Sequence, residues 1–121
     1  MLKHWSSKPE DQDYAGARSY LSLLVGHRQA AKLTQALKAE KKTRHYAAKD
    51  ILRAAGLVLL PPDDPEVEAD MEKVRSGRKL SPVLLVMGEP LWVADGYHRV
   101  CVSIHLGEKT PIPCVVVRRK P

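Results

Sequence analysis

The sequence predicts an α+β domain with a small mixed sheet, and three observations lead to that prediction. The 121 residues suffice for one compact domain with its own core but are too few for two ordinary domains. Apolar residues recur at helical spacing through residues 15–55. Four short apolar runs have the length of strands: residues 57–60, 82–87, 91–94 and 112–117. We therefore expect an N-terminal arm and helical cap over residues 1–56 and a sheet flanked by helices over residues 57–121.

The arm over residues 1–13 is polar and shows no hydrophobic period, with one exception. Trp5 carries a large apolar ring, and such a ring usually docks onto the body of a domain. After the arm, residues 15–25 and 28–39 have the pattern of a short helical hairpin. The charged link over residues 40–44 is typical of a solvated connector.

The middle of the chain predicts a helix, a strand and a second helix. Residues 46–55 form the first helix, and Gly56 supplies its left-handed stop. The apolar run over residues 57–60 is closed by two prolines, which favours a strand. The next segment, Asp63-Asp64-Pro65-Glu66, has the residue order of a helix N-terminus, with an Asp cap, a first-turn proline and acids that match the helix dipole. That helix should extend over residues 65–75.

The last third of the chain predicts the centre of the sheet. The run over residues 82–87 is apolar on both faces, which indicates a strand buried on both sides. A Gly-Glu-Pro turn leads back into residues 91–94 and predicts a hairpin. A helix over residues 97–106 and a strand over residues 112–117 complete the expected order.

Charge and composition limit the classes of function. The net charge of +6 lies wholly in the N-terminal half, because residues 1–60 hold 11 Lys and Arg against 5 Asp and Glu, whereas residues 61–121 hold 9 of each. A basic surface of this kind can attract DNA. The two cysteines, Cys101 and Cys114, have no metal-ligand spacing and are expected to be buried free thiols.

The apolar runs are far shorter than the ~20 residues that a membrane span needs. The early charges also exclude the apolar region of a signal peptide. We therefore expect a soluble cytoplasmic protein with no membrane partner. A homodimer is among the assemblies that we consider.

The motif Asp95-Gly96-Tyr97-His98-Arg99 carries the strongest chemical signal. It joins an apolar strand to an amphipathic helix, and a helix N-terminus behind a glycine turn is suited to hold an anion. Arg99 can bind two phosphate oxygens, and His98 can donate or accept a proton near neutral pH. A purely structural interpretation is equally open at this point: Asp95 caps the helix, and His98 and Arg99 pair with surface acids.

Other catalytic templates are missing from the sequence. It contains no phosphate-binding G-x-x-x-x-G-K-[ST] loop, no H-E-x-x-H zinc motif, no G-x-S-x-G nucleophile turn and no Rossmann glycine fingerprint. The pair Ser103 and His105 cannot act as nucleophile and base, since residues two apart in a helix point in different directions.

The order of elements from about residue 57 to residue 118, together with Asp95-Gly96-Tyr97-His98-Arg99, resembles the ParB/sulfiredoxin superfamily. The motif is similar to the G-x-H-R signature of sulfiredoxins and to the glycine-led, arginine-rich box of ParB proteins. The resemblance implies that Gly96, Tyr97, His98 and Arg99 bind the phosphates of ATP or CTP with Mg²⁺. Tyr97 stands where sulfiredoxins place a reactive cysteine, which argues against sulfinic-acid reduction.

Relatives in this superfamily that act as kinases use a carboxylate base. Asp63, Asp64 and Glu66 are the positions that could match it or bind the metal, and Asp95 is a further candidate. With His98, Asp95 completes the expected catalytic pair.

Three functions follow, in order of preference. The first is a ParB-like nucleotide-binding protein that acts as a Mg²⁺-dependent phosphotransferase or nucleotide hydrolase. The second is a non-enzymatic module that binds DNA or a partner through the basic half, with Lys41, Lys42 and Arg44 as phosphate contacts. The third is a ParB-like nuclease, which ranks last because no cluster of metal-binding acids stands out in the sequence.

Overall fold

The computed structural model describes residues 4–119 and folds them into five helices and four strands. Residues 1–3 of the predicted arm lie outside that range, as do residues 120–121. The helices are α1 (Asp11–Val25), α2 (His27–Ala39), α3 (Ala48–Ala55), α4 (Pro65–Arg75) and α5 (Tyr97–His105). The strands are β1 (Arg44–Tyr46), β2 (Val83–Met87), β3 (Trp92–Asp95) and β4 (Ile112–Arg118). The mixed α+β class is as the sequence predicts.

The four strands form one mixed sheet in the order β1-β4-β2-β3. The two central strands, β2 and β4, run parallel, and each edge strand pairs antiparallel with its neighbour. The strand predicted from its two apolar faces is β2, and its central position confirms the prediction. The predicted hairpin is also confirmed as the β2–β3 pair.

Helices cover both faces of the sheet. Successive side chains of a strand point to opposite sides, so each strand contributes to the packing on both faces. Val83 and Leu85 of β2 pack with α3, α4 and α5 in one apolar core. Leu84 and Val86 pack with α1 and α2 in a second core. The result is a three-layer arrangement in which β2 lies buried between the two helical layers.

The prediction of a strand over residues 57–60 is wrong. Side chains of α5 hold this segment instead of a sheet neighbour: the Tyr97 hydroxyl donates to the Val58 carbonyl at 2.6 Å, and His105 Nε2 lies 2.6 Å from the Leu60 carbonyl oxygen. Val58 and Leu59 are exposed. The apolar composition of the run reflects contact of Leu57 and Leu60 with the core below.

The fourth strand is β1. Its residues were predicted to belong to the charged connector over residues 40–44 and to the start of the helix over residues 46–55. β1 is short and mostly exposed, and it pairs with β4 from Arg44 opposite Cys114 to Tyr46 opposite Ile112. A three-residue strand carries too few side chains to show a period of two. Helix α3 consequently begins at Ala48 instead of Tyr46.

The predicted N-terminus of α4 is confirmed. The Asp64 carboxylate accepts hydrogen bonds from the backbone N–H groups of Glu66 and Val67, both at 3.1 Å, and Pro65 opens the helix. Helix α1 begins four residues earlier than predicted. Glu10 and Asp13 form a reciprocal capping box at its start, so the supposedly irregular end of the arm is the first turn of a helix.

The arm docks through Trp5, as predicted. Its side chain is buried in the core. The backbone on either side of it is hydrogen-bonded to Leu80. The Leu80 N–H donates to the His4 carbonyl at 2.6 Å, and the Ser6 N–H donates to the Leu80 carbonyl at 2.8 Å. The arm is therefore a strap across the end of the α3–α5 layer.

Both cysteines are buried free thiols, as predicted, and burial raises the pKa of Cys114 to about 12. Among the helices of residues 4–119, none combines the length and the apolar character that crossing a membrane requires.

Candidate functional site

A cleft of about 380 Å³ lies where the β3–α5 turn meets the first turn of α1 and one side of α4. It contains much of the predicted motif. Its polar and charged lining residues are Gln12, Asp13, Glu66, Asp70, Lys73, Asp95, His98 and Arg99. The cleft therefore combines four carboxylates with two permanent cations and one histidine.

Gly96 begins α5 in a conformation that favours glycine, with φ at 112°. A Cβ atom there would lie 2.9 Å from Nη2 of Arg99 and 3.1 Å from a methyl of Val83, so the site also lacks room for a side chain. The alternative in which Asp95 caps this helix does not describe the structure: within the described part of the chain, no side chain caps α5. The first-turn N–H groups of α5 are thus free of a side-chain acceptor at the edge of the cleft.

Arg99 is the centre of the site and is mostly buried. Its Nη2 donates to Asp95 at 3.2 Å and to the Pro82 carbonyl at 3.1 Å, and its Nη1 lies 3.5 Å from Asp13. Its Nε is buried without a hydrogen-bond partner among residues 4–119. One guanidinium therefore links β3, α1 and the start of β2, and keeps one donor uncommitted.

The Asp95 carboxyl group is held in an environment that disfavours its charge. Burial raises its pKa from 3.8 to about 6, and the nearby Asp13 acts in the same direction, whereas Arg99 opposes the shift. A carboxyl with this pKa can take up or release a proton close to neutral pH. Asp95 thus has the property expected of a general base.

Gly16 provides the space that Asp95 occupies. A Cβ atom on Gly16 would lie 2.7 Å from Oδ1 of Asp95, which is closer than Cβ atoms in proteins approach another heavy atom. Gly16 lies inside α1, where glycine costs roughly 1 kcal/mol relative to alanine. The close approach to Asp95 explains its presence there.

His98 lies at the outer side of the cleft. Its Nδ1 is 2.8 Å from Glu66, and its Nε2 is 3.9 Å from Asp64, the residue that caps α4. His98 and Arg99 therefore both pair with acidic side chains, as the purely structural interpretation of the motif predicts. Both residues nevertheless line an open cleft, so the pairing leaves them accessible to a ligand.

Helix α4 adds an ion pair to the same wall. Lys73 Nζ lies 3.8 Å from Asp70, and burial raises the pKa of Asp70. The two residues are one helical turn apart, and both face the cleft. Lys73 contributes a third cationic group that a phosphate could contact.

Several predicted residues lie elsewhere. Tyr97 is turned toward the 57–60 segment through its hydroxyl, and Asp63 is exposed outside the cleft. Lys41, Lys42 and Arg44 precede or begin β1 and do not line the cleft. The structure thus brings together Asp95, Gly96, His98 and Arg99, with Glu66 beside them.

The sequence analysis missed Asp13, Gly16 and Lys73. Asp13 was assigned to the arm, although its spacing of three from Glu10 is the signature of a capping box. Nothing local indicates Gly16, because its role depends on a residue 79 positions later in the chain. Of α4, the sequence indicates Glu66 as a candidate site residue but not Lys73.

The carboxylates of the cleft do not make a ready metal centre. Within residues 4–119, no group of three or more His, Cys, Asp or Glu is placed so that it could hold a metal ion. Comparisons with protein-family models, curated proteins and solved structures found no match to this chain. The function is therefore argued from the geometry of the cleft.

Proposed function

We propose that this protein binds a nucleotide together with Mg²⁺ in the cleft and acts as a phosphotransferase or nucleotide hydrolase. One observation carries the proposal. The N-terminus of α5, which has no side-chain cap within residues 4–119, opens beside Arg99 and His98 and next to a carboxyl group with a pKa of about 6. Phosphoryl transfer depends mainly on positioning, charge neutralisation and a base, and these groups can supply all three.

Phosphate binding uses the α5 terminus and the cationic side chains. The first-turn N–H groups can donate to phosphate oxygens, and the helix dipole favours negative charge there. Arg99 and Lys73 each hold an acid in the cleft and can exchange it for a phosphate oxygen. The exchange at Arg99 is easiest when Asp95 is protonated, because a neutral carboxyl group holds the guanidinium less strongly.

The charge of the cleft explains why the nucleotide should arrive with a metal. Four acids face two permanent cations, so a phosphate group alone would meet net repulsion. Carboxylate oxygens are suitable Mg²⁺ ligands, and Mg²⁺ at nucleotide sites is commonly held by one or two carboxylates, waters and phosphate oxygens. Because the carboxylates of residues 4–119 form no ready-made metal centre, the ion would arrive bound to the nucleotide, and Asp70, which faces the cleft, is the carboxylate that could then contact it. When bound, the ion neutralises phosphate charge.

Asp95 is the base in this proposal. Its carboxylate accepts the proton of the attacking hydroxyl group, either from an acceptor substrate or from water. His98 is placed to contact the transferred phosphate from the outer side of the cleft. The reaction should therefore accelerate as the pH rises through about 6, where Asp95 becomes ionised.

The ParB/sulfiredoxin-like assignment is part of the same proposal. The motif Asp95-Gly96-Tyr97-His98-Arg99 at a strand-to-helix turn supports it. The segment over residues 57–60 weighs against it, because the expected first strand of the core is irregular here.

Calorimetric titration tests the proposal. ATP and CTP are titrated into the protein with and without Mg²⁺, and into the variants Lys73→Ala, His98→Ala and Arg99→Lys. We expect one nucleotide to bind only with Mg²⁺ and each variant to weaken binding about tenfold or more, since a charge-assisted hydrogen bond contributes about 1.5–3 kcal/mol. Arg99→Lys keeps the buried charge that Arg99→Ala would remove.

The control variant is Lys109→Ala, which removes an exposed cation from a loop outside the cleft. It should bind as wild type does. If neither nucleotide produces heat at millimolar concentration with Mg²⁺, or if Lys109→Ala weakens binding as much as Lys73→Ala, the proposal is wrong.

A further inference from the structure

We infer that a second surface, separate from the cleft, binds the phosphate backbone of duplex nucleic acid. Two adjoining concavities of about 400 and 180 Å³ share the side chains of Ser7 and Thr43. We call them together the basic groove. Its ionisable nitrogen-bearing residues are Lys8, Lys38, Lys41, His45 and Lys79. Within residues 4–119, no residue lines both the groove and the cleft.

Four separate parts of the chain supply these cations. Lys8 belongs to the arm, Lys38 and Lys41 to the end of α2 and the loop after it, His45 to β1, and Lys79 to the segment before β2. The fold therefore gathers positive charge from positions far apart in the sequence. Of the predicted contacts Lys41, Lys42 and Arg44, Lys41 lines the groove, and the other two are exposed beside it.

The lysines of the groove are available to a ligand. None of the four lies within 4 Å of a carboxylate oxygen of residues 4–119, and all four are exposed. The single acid of the lining is Glu40, whose carboxylate accepts a hydrogen bond from the backbone N–H of Lys42. The groove has a net charge of about +3 with His45 neutral, and its ligand should be an anion with several charges.

The neutral lining residues favour phosphate over carboxylate ligands. Ser7 and Thr43 add hydroxyl donors between the lysines, and this combination is typical of contacts to nucleic-acid phosphates. An acidic peptide could instead add to the open edge of β1. That strand has only three residues, so it offers little backbone for pairing with a peptide.

The aromatic residues of the groove favour a duplex over a single strand. Binding of single strands commonly depends on aromatic rings on which bases stack. Trp5 is buried, and Lys38 Nζ lies 5.7 Å from the centre of the Tyr14 ring and covers its face. The groove thus offers charge and hydroxyl groups without a stacking surface, which suits the backbone of a duplex whose bases remain paired.

Fluorescence anisotropy tests the inference. Labelled 30-base-pair DNA duplexes of two unrelated sequences are titrated with the full chain between 50 and 300 mM salt. With four lysine contacts, the logarithm of the binding constant should fall against the logarithm of salt with a slope of about −3 to −4. Both sequences should bind equally. The variant Lys38→Glu/Lys41→Glu/Lys79→Glu should bind at least about tenfold more weakly with a slope near −1.

The matched control is Arg28→Glu/Lys109→Glu/Arg118→Glu, which changes the net charge equally at exposed residues outside the groove. It should bind within about threefold of wild type, because these residues do not line the groove and salt screens exposed charges. Unfolding curves of both variants confirm that they are folded.

The inference is wrong if no duplex binds at 50 mM salt, or if the two triple variants lose equal affinity for the duplex. It is also wrong if the matching single strand binds more tightly than the duplex, or if poly-glutamate at an equal concentration of charge displaces the duplex. The last result would assign the groove to an acidic protein partner. Nucleotide titration of the groove variant tests the two sites independently. That variant should have the same nucleotide affinity as the wild type, because its substitutions lie outside the cleft.

Discussion

Asp95 is the residue whose behaviour depends most on its surroundings. Its carboxyl group lies between Arg99 of α5 and two residues of α1, Asp13 and Gly16. The contact with Gly16 is a steric one, so it can be tested independently of the charges.

We expect Gly16→Ala to stabilise an Asp95→Ala protein by about 1 kcal/mol, because alanine is the better residue inside a helix. In the wild type the same substitution should bring no gain, since the new methyl group must displace the Asp95 carboxylate. Urea unfolding of the four proteins measures the difference. An equal gain in both backgrounds would show that Gly16 and Asp95 do not compete for the same space.

The pH dependence of stability should also show the influence of Asp95. Burial raises its pKa from 3.8 to about 6, so the ionised form is less favourable in the folded chain than in the unfolded chain. Its stabilising contribution is complete below about pH 4 and is lost as the pH rises through about 6. We expect Asp95→Asn to raise the unfolding free energy at pH 7.5 by about 1 kcal/mol relative to wild type, after allowance for solvent screening.

The measurement is denaturant unfolding of the two proteins at pH 4 and at pH 7.5. The advantage of Asp95→Asn should shrink at the lower pH, where Asp95 is largely protonated. Asp63→Asn serves as the comparison, because Asp63 is exposed. An advantage of Asp95→Asn that is the same at both pH values would contradict the assignment of the raised pKa to Asp95.

At the scale of single residues, the sequence predicts those site residues that belong to the motif Asp95-Gly96-Tyr97-His98-Arg99 and few others. Gly96, His98 and Arg99 could be found because a strand, a glycine and a helix follow one another locally. The Asp13 carboxylate contacts Arg99, although the two residues lie 86 positions apart in the chain, so no local sequence pattern can predict that contact. The sequence left two partners open for the Asp95 carboxylate, and in the structure it pairs with Arg99 instead of the N-terminus of α5.

At the scale of elements, α4 shows how one side chain fixes where a helix begins. Asp64 accepts two backbone hydrogen bonds, whereas Asp63, its neighbour with the same side chain, has no such contact among residues 4–119. We expect Asp64→Ala to lower the unfolding free energy by about 1 kcal/mol and Asp63→Ala to lower it by less than about 0.5 kcal/mol.

Thermal unfolding of the two variants provides the measurement, and Asp63→Ala is the control for loss of charge. Equal losses would mean that the acidic charge near the helix dipole matters more than the cap. Because Asp64 also lies 3.9 Å from His98, Asp64→Ala should leave Glu66 as the main acidic neighbour of that histidine.

The elements differ in how well the sequence predicts them. The helices and the strands β2, β3 and β4 have enough residues for their periods to be visible. A strand was predicted over residues 57–60 instead of residues 44–46, since an apolar run resembles a strand and an exposed three-residue strand resembles a loop. Pairing partners decide which segment becomes a strand, and a partner such as β4 lies more than 60 residues later.

At the scale of the whole molecule, the arm contributes to the core through Trp5. We expect Trp5→Ala to lower the unfolding free energy by about 3 kcal/mol, as is usual when a large aromatic side chain is removed from a core. Leu23→Ala removes an apolar side chain that is 84% exposed and should cost less than about 0.5 kcal/mol. Urea unfolding of both variants distinguishes a docked arm from a loose one, for which the two losses would be similarly small.

The order of the strands has a consequence for how the protein is synthesised. β4 pairs with both β1 and β2, yet it follows every other strand described here in the chain. A ribosome that adds about 5–20 residues per second needs roughly 4–14 seconds to pass from Arg44 to Cys114. During that interval β1 has no partner, and β2, once it is synthesised, lacks its neighbour β4. Nascent chains that pause before residue 112 should therefore depend on chaperones more than the finished protein does.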